Sequence, residues 1–186
     1  MSEKVRERAL RPEELRLARD VFEETLPYNR IMIGDDLGRS GRAYMDAEDM
    51  PGWGTGDYYV LRLGYFGYRD ATSTLPAYAG KRMVRTVFIH ELTHVWQAFR
   101  GHNVLTESIA AQGCYAVFTF DAGNAYNYTP GRKFCDYNVE QQASIVEDWF
   151  MGGMKTEGEL YKYIRDHIHT GKPHTDFCSH SFNLNI

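Results

Sequence analysis

The stretch VFIHELTHVWQ, Val87 to Gln97, decides how this chain is read. It sets His90, Glu91 and His94 in the arrangement H-E-x-x-H. On a helix, residues i and i+4 lie one above the other on one face, about one turn apart. Two imidazoles so placed reach a single cation, and imidazole nitrogen is a preferred ligand of zinc. Glu91 stands to the side of that pair, where it takes a proton from water without being a ligand itself. Val84, Phe88, Leu92, Val95 and Phe99 recur at helical spacing as a buried stripe, with His90, Glu91, His94 and Gln97 off it toward a rim or cleft. Two histidines and a glutamate also meet by chance on exposed faces. The uncharged, mostly apolar flanks from Val87 to Ile89 and around Leu92 to Trp96 weigh against that. Gly101, after Arg100, is the expected stop.

A catalytic zinc takes three protein ligands and leaves a fourth position open. The segment DYNVEQQASIVEDWF, Asp136 to Phe150, supplies the acidic candidates Glu140, Glu147 and Asp148. Val139, Ala143, Val146, Trp149 and Phe150 form its packed side, while Glu140, Ser144 and Glu147 share the other. An acid in the first turn of a helix also serves its dipole. That role leaves the neighbouring Tyr137-Asn138 and Gln141-Gln142-Ala143 unexplained, which favours Glu140 as the third ligand.

H-E-L-T-H followed some 45 residues later by E-x-x-A on a second helix resembles the gluzincin branch of zinc metallopeptidases. The resemblance implies a zincin-like domain with His90, His94 and Glu140 on Zn2+ and Glu91 as general base for peptide hydrolysis. More narrowly, HELTHVWQ with YNVEQQASIVEDWF resembles small bacterial metallopeptidase-like proteins associated with type VI and related contractile secretion systems. That implies an effector exported by such a system, with a protein or peptide substrate and a secretion-system component or immunity protein as partner. Many gluzincins carry an aspartate four residues after the glutamate ligand, bonded to a ligand histidine. Ser144 stands there in this chain, so Glu147 or Asp148 is expected to substitute. A donor for the developing oxyanion is sought among His102, Tyr126, Tyr128 and Tyr137, each of which also reads as an ordinary packed or surface residue. The rival function is a metal-binding adaptor of the secretion apparatus that cleaves nothing; the retained Glu91 argues against it.

The chain has 186 residues, 43% hydrophobic and 25% charged, as expected for one globular domain over residues 1–186. A net charge of −4 with no basic block beyond the first residues argues against nucleic acid. No apolar run approaches the roughly 20 residues of a membrane span. The charged start MSEKVRERALRPEEL is unlike a secretory signal, so synthesis in the cytoplasm is expected. Three cysteines, Cys114, Cys135 and Cys178, argue against a disulfide framework and for a reducing compartment.

In order, an N-terminal helix within residues 1–26 opens at Pro12, with Leu15, Ala18, Val21 and Phe22 facing inward, before Pro27. Arg30–Ile33 is a short strand, and the glycine-rich stretch 34–57 is expected as a long loop. Tyr58–Tyr68 is the best strand, with Gly64 and Gly67 marking a bulge or close backbone approach; if it forms an edge beside the cleft, an extended peptide can pair with it. The motif helix starts near Lys81. A helix within 104–118, turns over 122–132, a helix from Tyr137 or Asn138 to Met151 and one over Thr156–Thr170 follow. Thr156 and Glu159 have capping-box spacing. The expected fold is α+β, mostly helical with a small β-sheet. Residues 167–186, with His167, His169, His174, Cys178 and His180, read as a surface tail.

Overall fold

The computed structural model describes residues 5–38, 41–50, 54–78, 81–101 and 126–172. Among them, four strands form a mixed sheet: β1 (Glu7–Ala9), β2 (Ile31–Gly34), β3 (Tyr44–Met50) and β4 (Gly54–Arg62). Their order is β1-β2-β4-β3, antiparallel except for the parallel pair β2 and β4, which aligns Ile31 with Tyr59 and Ile33 with Leu61. The helices are α1 (Pro12–Phe22), α2 (Gly64–Arg69), α3 (Val84–Phe99), α4 (Val139–Met151) and α5 (Glu159–Tyr163), the last running on into a π turn over Ile164–Ile168. The α+β class expected from the sequence is the class observed. No helix among the described residues is long and apolar enough to cross a membrane.

Helix α1 opens with Pro12 at its first position, and the Glu14 carboxylate accepts the Arg11 amide at 2.8 Å. The inward face holds Glu14, Ala18, Val21 and Phe22, with Leu15 only half-buried. Glu14 replaces Leu15 there because its charge is fully used. Both its oxygens accept from Arg8 at 2.7 Å, and the Ala71 amide adds a third partner.

Two expectations for the sheet are overturned. The stretch 34–57 is not one loop, since β3 lies in it and pairs with β4 from Tyr44↔Arg62 to Met50↔Gly54. Nor is β4 an edge: it lies between β2 and β3, with Tyr59, Val60 and Leu61 buried, and β3 is the outer strand. The strand also ends at Arg62 rather than Tyr68, because residues 64–69 turn into α2. Gly64 makes that turn with φ +65°, where an added Cβ would lie 2.8 Å from Leu37. The close backbone approach read from that glycine is real; the strand around it is not.

Helix α3 is the buried axis of the fold. Every residue from Thr86 to Gln97 is buried, including all four polar ones placed toward a rim by periodicity, whereas Phe99, expected inside, is exposed. Beneath it, Ile31, Ile33 and Leu61 of the sheet join Phe88, Leu92 and Trp96, with Ile145 and Trp149 from α4 and Ile164 and Ile168 from the π turn, in one core. Gly101, φ +95°, follows the helix where the stop was expected.

Helix α4 begins at a reciprocal cap. Asn138 accepts the Gln141 amide at 2.9 Å while the Gln141 carbonyl oxygen accepts the Asn138 amide at 3.1 Å. The capping box expected at Thr156 does not form, since α5 starts at Glu159 behind Gly158, which has φ 92°. The expected surface tail is anchored in its first residues. Ile168 is fully buried, His167 stacks on Phe134 at 4.7 Å, and His169 bonds the Val21 carbonyl at 3.0 Å. His174, Cys178 and His180 lie outside the described residues, as do Cys114, the helix expected within 104–118 and the first of the turns expected from 122. Cys135 is disulfide-bonded, whereas the three cysteines were read as arguing against a disulfide framework and for a reducing compartment. The small number of cysteines carried no information about that pairing.

Candidate metal centre

Helices α3 and α4 bring His90, His94 and Glu140 together with their ligand atoms all within 4.8 Å of one another. All three are buried. The Glu140 carboxylate oxygen Oε2 lies 3.3 Å from His90 Nε2 and 3.4 Å from His94 Nε2. The rings stand edge to face, centroids 5.0 Å apart. The three residues singled out from the sequence thus lie together in a cluster that could hold a metal ion, with Asn138 capping the start of α4 just before Glu140.

Each ring is held at its other nitrogen. His90 Nδ1 donates to Glu147 Oε2 at 2.8 Å, and the same oxygen accepts from Arg82 at 2.5 Å. His94 Nδ1 bonds Gln97 Oε1 at 2.8 Å. With both Nδ1 atoms so used, both Nε2 atoms face the Glu140 carboxylate between them. Of the acids proposed to stand in at Ser144's position, Glu147 takes the part. Asp148 instead accepts from the Tyr128 hydroxyl at 2.7 Å. Sequence reasoning gave no role to Arg82 or Gln142, and noted Gln97 only as off the apolar stripe. The usable signal was the i, i+3 spacing of His94 and Gln97 on a helix.

The donor set fits a small divalent ion. A tetrahedral ion bound at about 2.0–2.1 Å has ligand atoms about 3.3–3.4 Å apart, close to the separations of Glu140 Oε2 from the two nitrogens. Without an ion the three groups share protons. Burial disfavours a charged ring, but hydrogen bonds to Glu140 and Glu147 outweigh it and raise the His90 pKa to about 9. Against its own burial, bonds to the two rings hold Glu140 well below the usual carboxylate range.

Glu91 is different. It is buried, and its Oε2 has no hydrogen-bond partner among the described residues. Burial raises its pKa, moderated by His94 and His90. A carboxylate oxygen left without a partner beside a ligand set has no structural use there, and it is free to accept a proton from a molecule entering the site.

Among the hydroxyls considered for an oxyanion, Tyr137 donates to the Thr129 carbonyl at 2.7 Å and accepts from the Arg132 amide at 3.2 Å, and Tyr128 is bound to Asp148. Both phenols are committed to holding the chain ahead of α4. His102 lies outside the described residues. Tyr126 is the phenol at the site, its ring 6.0 Å from that of His90. Burial, then the charge of Glu140, raises its pKa to about 12, so it stays protonated at neutral pH.

A mixed sheet with a buried two-histidine helix, completed by an acid from a second helix, defines the chain as an α+β protein with a candidate metal centre. No family model matches it. It is similar to the type VI secretion system spike protein VgrG2b of Pseudomonas aeruginosa, 32% identical over 145 residues. That match covers 77% of this chain but only 13% of the spike protein. The solved effector domain of Pseudomonas aeruginosa VgrG2b is 28% identical, with a TM-score of 0.56 over 85% of this chain and 82% of that domain.

Proposed function

We propose that this chain is a zincin-like, gluzincin-type metallopeptidase that serves as an effector associated with type VI secretion. The single observation that carries the enzymatic reading is the pairing of a three-donor set with the unpartnered Glu91 oxygen beside it. A purely structural metal site has no use for that acid. The link to type VI secretion rests on the similarity to the VgrG2b effector domain, on which basis the chain is made in the cytoplasm and exported by that apparatus. A secretion-system component and a protective immunity protein are the partners this reading implies.

Zn2+ fits the two imidazoles and one carboxylate of His90, His94 and Glu140. The chemistry such an ion supplies is Lewis acidity toward water and toward the scissile carbonyl. Glu91 accepts the proton of the attacking water and delivers it to the leaving amine, a role matched to a carboxylate whose pKa is raised by burial. Tyr126, neutral and adjacent to His90, donates its hydroxyl proton in a hydrogen bond to the developing oxyanion. Glu147 and Gln97 keep the two rings from turning.

The test combines zinc content with proteolysis of candidate proteins from a target cell. Wild type is expected to bind one zinc per chain and cleave; Glu91→Gln is expected to keep the zinc and lose turnover. Cleavage by Glu91→Gln at the wild-type rate overturns the mechanism. Zinc bound by wild type with no cleavage of any target-cell protein returns the adaptor reading.

A further inference from the structure

His90 and His94 are held by different chemistry. Behind His90 stands an ionised pair, Glu147 with Arg82. Behind His94 stands a run of neutral carboxamides. Gln97 Oε1 meets His94 Nδ1 at 2.8 Å, and Gln97 Nε2 donates to the Val139 carbonyl at 2.9 Å and to Gln142 Oε1 at 3.0 Å. Gln142 Nε2 then donates to the carbonyls of Phe134 and Tyr137, each at 3.1 Å. Both glutamines are buried, at 0% and 2% exposure, so no water competes for these groups.

The direction of this run is fixed at its far end. Backbone carbonyls only accept, so Gln142 must present its NH2 to Phe134 and Tyr137 and its oxygen to Gln97. Gln97 must likewise present its NH2 to Val139 and Gln142, which leaves its oxygen facing His94. An oxygen at that place accepts only, so Nδ1 of His94 carries the hydrogen, and in the neutral ring that binds a metal the lone pair is then on Nε2. Val139 is the residue before Glu140, so the same amide that sets the ring also holds the first turn of α4 against α3.

We infer that Gln97 and Gln142 are positioning residues, a directed carboxamide relay that turns the Nε2 lone pair of His94 toward the ion and sets Glu140 in register with it. The inference rests on the metal site proposed above. Each glutamine has both its NH2 hydrogens and its oxygen in use, and removing either leaves buried polar groups of the other helix unsatisfied. The relay also separates into two parts. Gln97→Glu keeps an acceptor on His94 Nδ1 but has no donor for Val139. Gln97→Met, of similar volume, loses both. Gln142→Met leaves the His94 contact in place and cuts the relay behind it.

The experiment measures zinc affinity of the full chain by competition with a chromophoric chelator. Long-range 1H–15N correlation of the imidazoles in the zinc-loaded protein is recorded alongside. Wild type is expected to show His94 with zinc on Nε2 and a slowly exchanging Nδ1 hydrogen. Gln97→Met is expected to lose about 10- to 100-fold in affinity and the slow exchange of that hydrogen. Gln97→Glu is expected to keep the ring hydrogen and lose less affinity, and Gln142→Met to fall between the two. A mere packing role would lower the melting temperature of the three variants without this ordering or the change at the ring. Should Gln97→Met not fold, the Gln142→Met ring signal and affinity decide the matter. Zinc bound by the Met variants within threefold of wild type, with the His94 ring hydrogen still protected, overturns the relay alone. A wild-type chain that binds no zinc overturns the proposed site and the relay with it.

Discussion

Glu147→Ala removes the acceptor behind His90 and is expected to weaken zinc binding without abolishing it. The carboxylate bridges His90 Nδ1 at 2.8 Å and Arg82 at 2.5 Å, with its side chain only 15% exposed. A hydrogen bond to a charged group in such surroundings contributes about 1.5–3 kcal/mol, which is about 10- to 150-fold in affinity. The upper part of that range is excluded because Arg82, at 38% exposure, turns to solvent once its partner is gone and does not stay behind as a buried lone charge. The expected loss is therefore about 10- to 50-fold. Ser144→Ala is the internal control. Ser144 sits where many gluzincins have their aspartate, yet the His90 nitrogen is taken by Glu147, so the serine variant is expected to match wild type. Competition against a chromophoric chelator at fixed pH reads both. Zinc held by Glu147→Ala within threefold of wild type, or a loss in Ser144→Ala as large as that in Glu147→Ala, refutes the assignment.

In the metal-free protein, His90 has its pKa raised from 6.5 to about 9, because bonds to Glu140 and Glu147 overcome burial. Its contribution to stability is thus fully present below about 6.5 and lost as pH rises through about 9. The Glu140 pKa is lowered, so its contribution is present above its ordinary 4.5 and lost as pH falls. Metal-free melting temperature should peak at mildly acid pH, whereas the gain on adding zinc should grow from pH 6 to 8.5, since the rings must shed protons to bind it; a pH-independent gain sinks this account. Tyr126→Phe is expected to lower turnover about 100- to 1,000-fold with zinc affinity unchanged, measured as kcat on a cleaved protein. Unaltered kcat removes Tyr126 from the site. Gly64→Ala forces a side chain into φ +65° and against Leu37, and is expected to cost about 1–3 kcal/mol in denaturant unfolding; an unchanged midpoint contradicts the reading of that turn.

The site was more legible than the sheet, for a physical reason. A helix writes its contacts in local spacing, so His90 with His94, and Glu140 at the start of α4, could be read directly. Strand β3 writes nothing local: YMDAEDM is polar and lies among glycines, and its partner is a different strand, so only pairing with β4 makes it extended. Periodicity also misjudged α3. A stripe of apolar residues predicts one buried face, but a helix packed on all sides buries its polar residues too, as it does His94 and Gln97, which bond each other. That a serine, Ser144, stands four residues after Glu140, where the resemblance to gluzincins implies an aspartate, was legible. That Glu147 supplies the missing bond was legible only as one of two alternatives, and the geometry of α4 against α3 chose between them.

The outer strand has a consequence for how copies of this chain meet. Among the described residues Tyr44–Met50 border the sheet, and the backbone amides and carbonyls of a bordering strand are groups to which a second chain can add. Asp46 stands within this strand, so two copies joining border to border about it would bring carboxylates of like charge close together, which is destabilising in a ladder. Growth into continuous sheets by that route is thereby disfavoured.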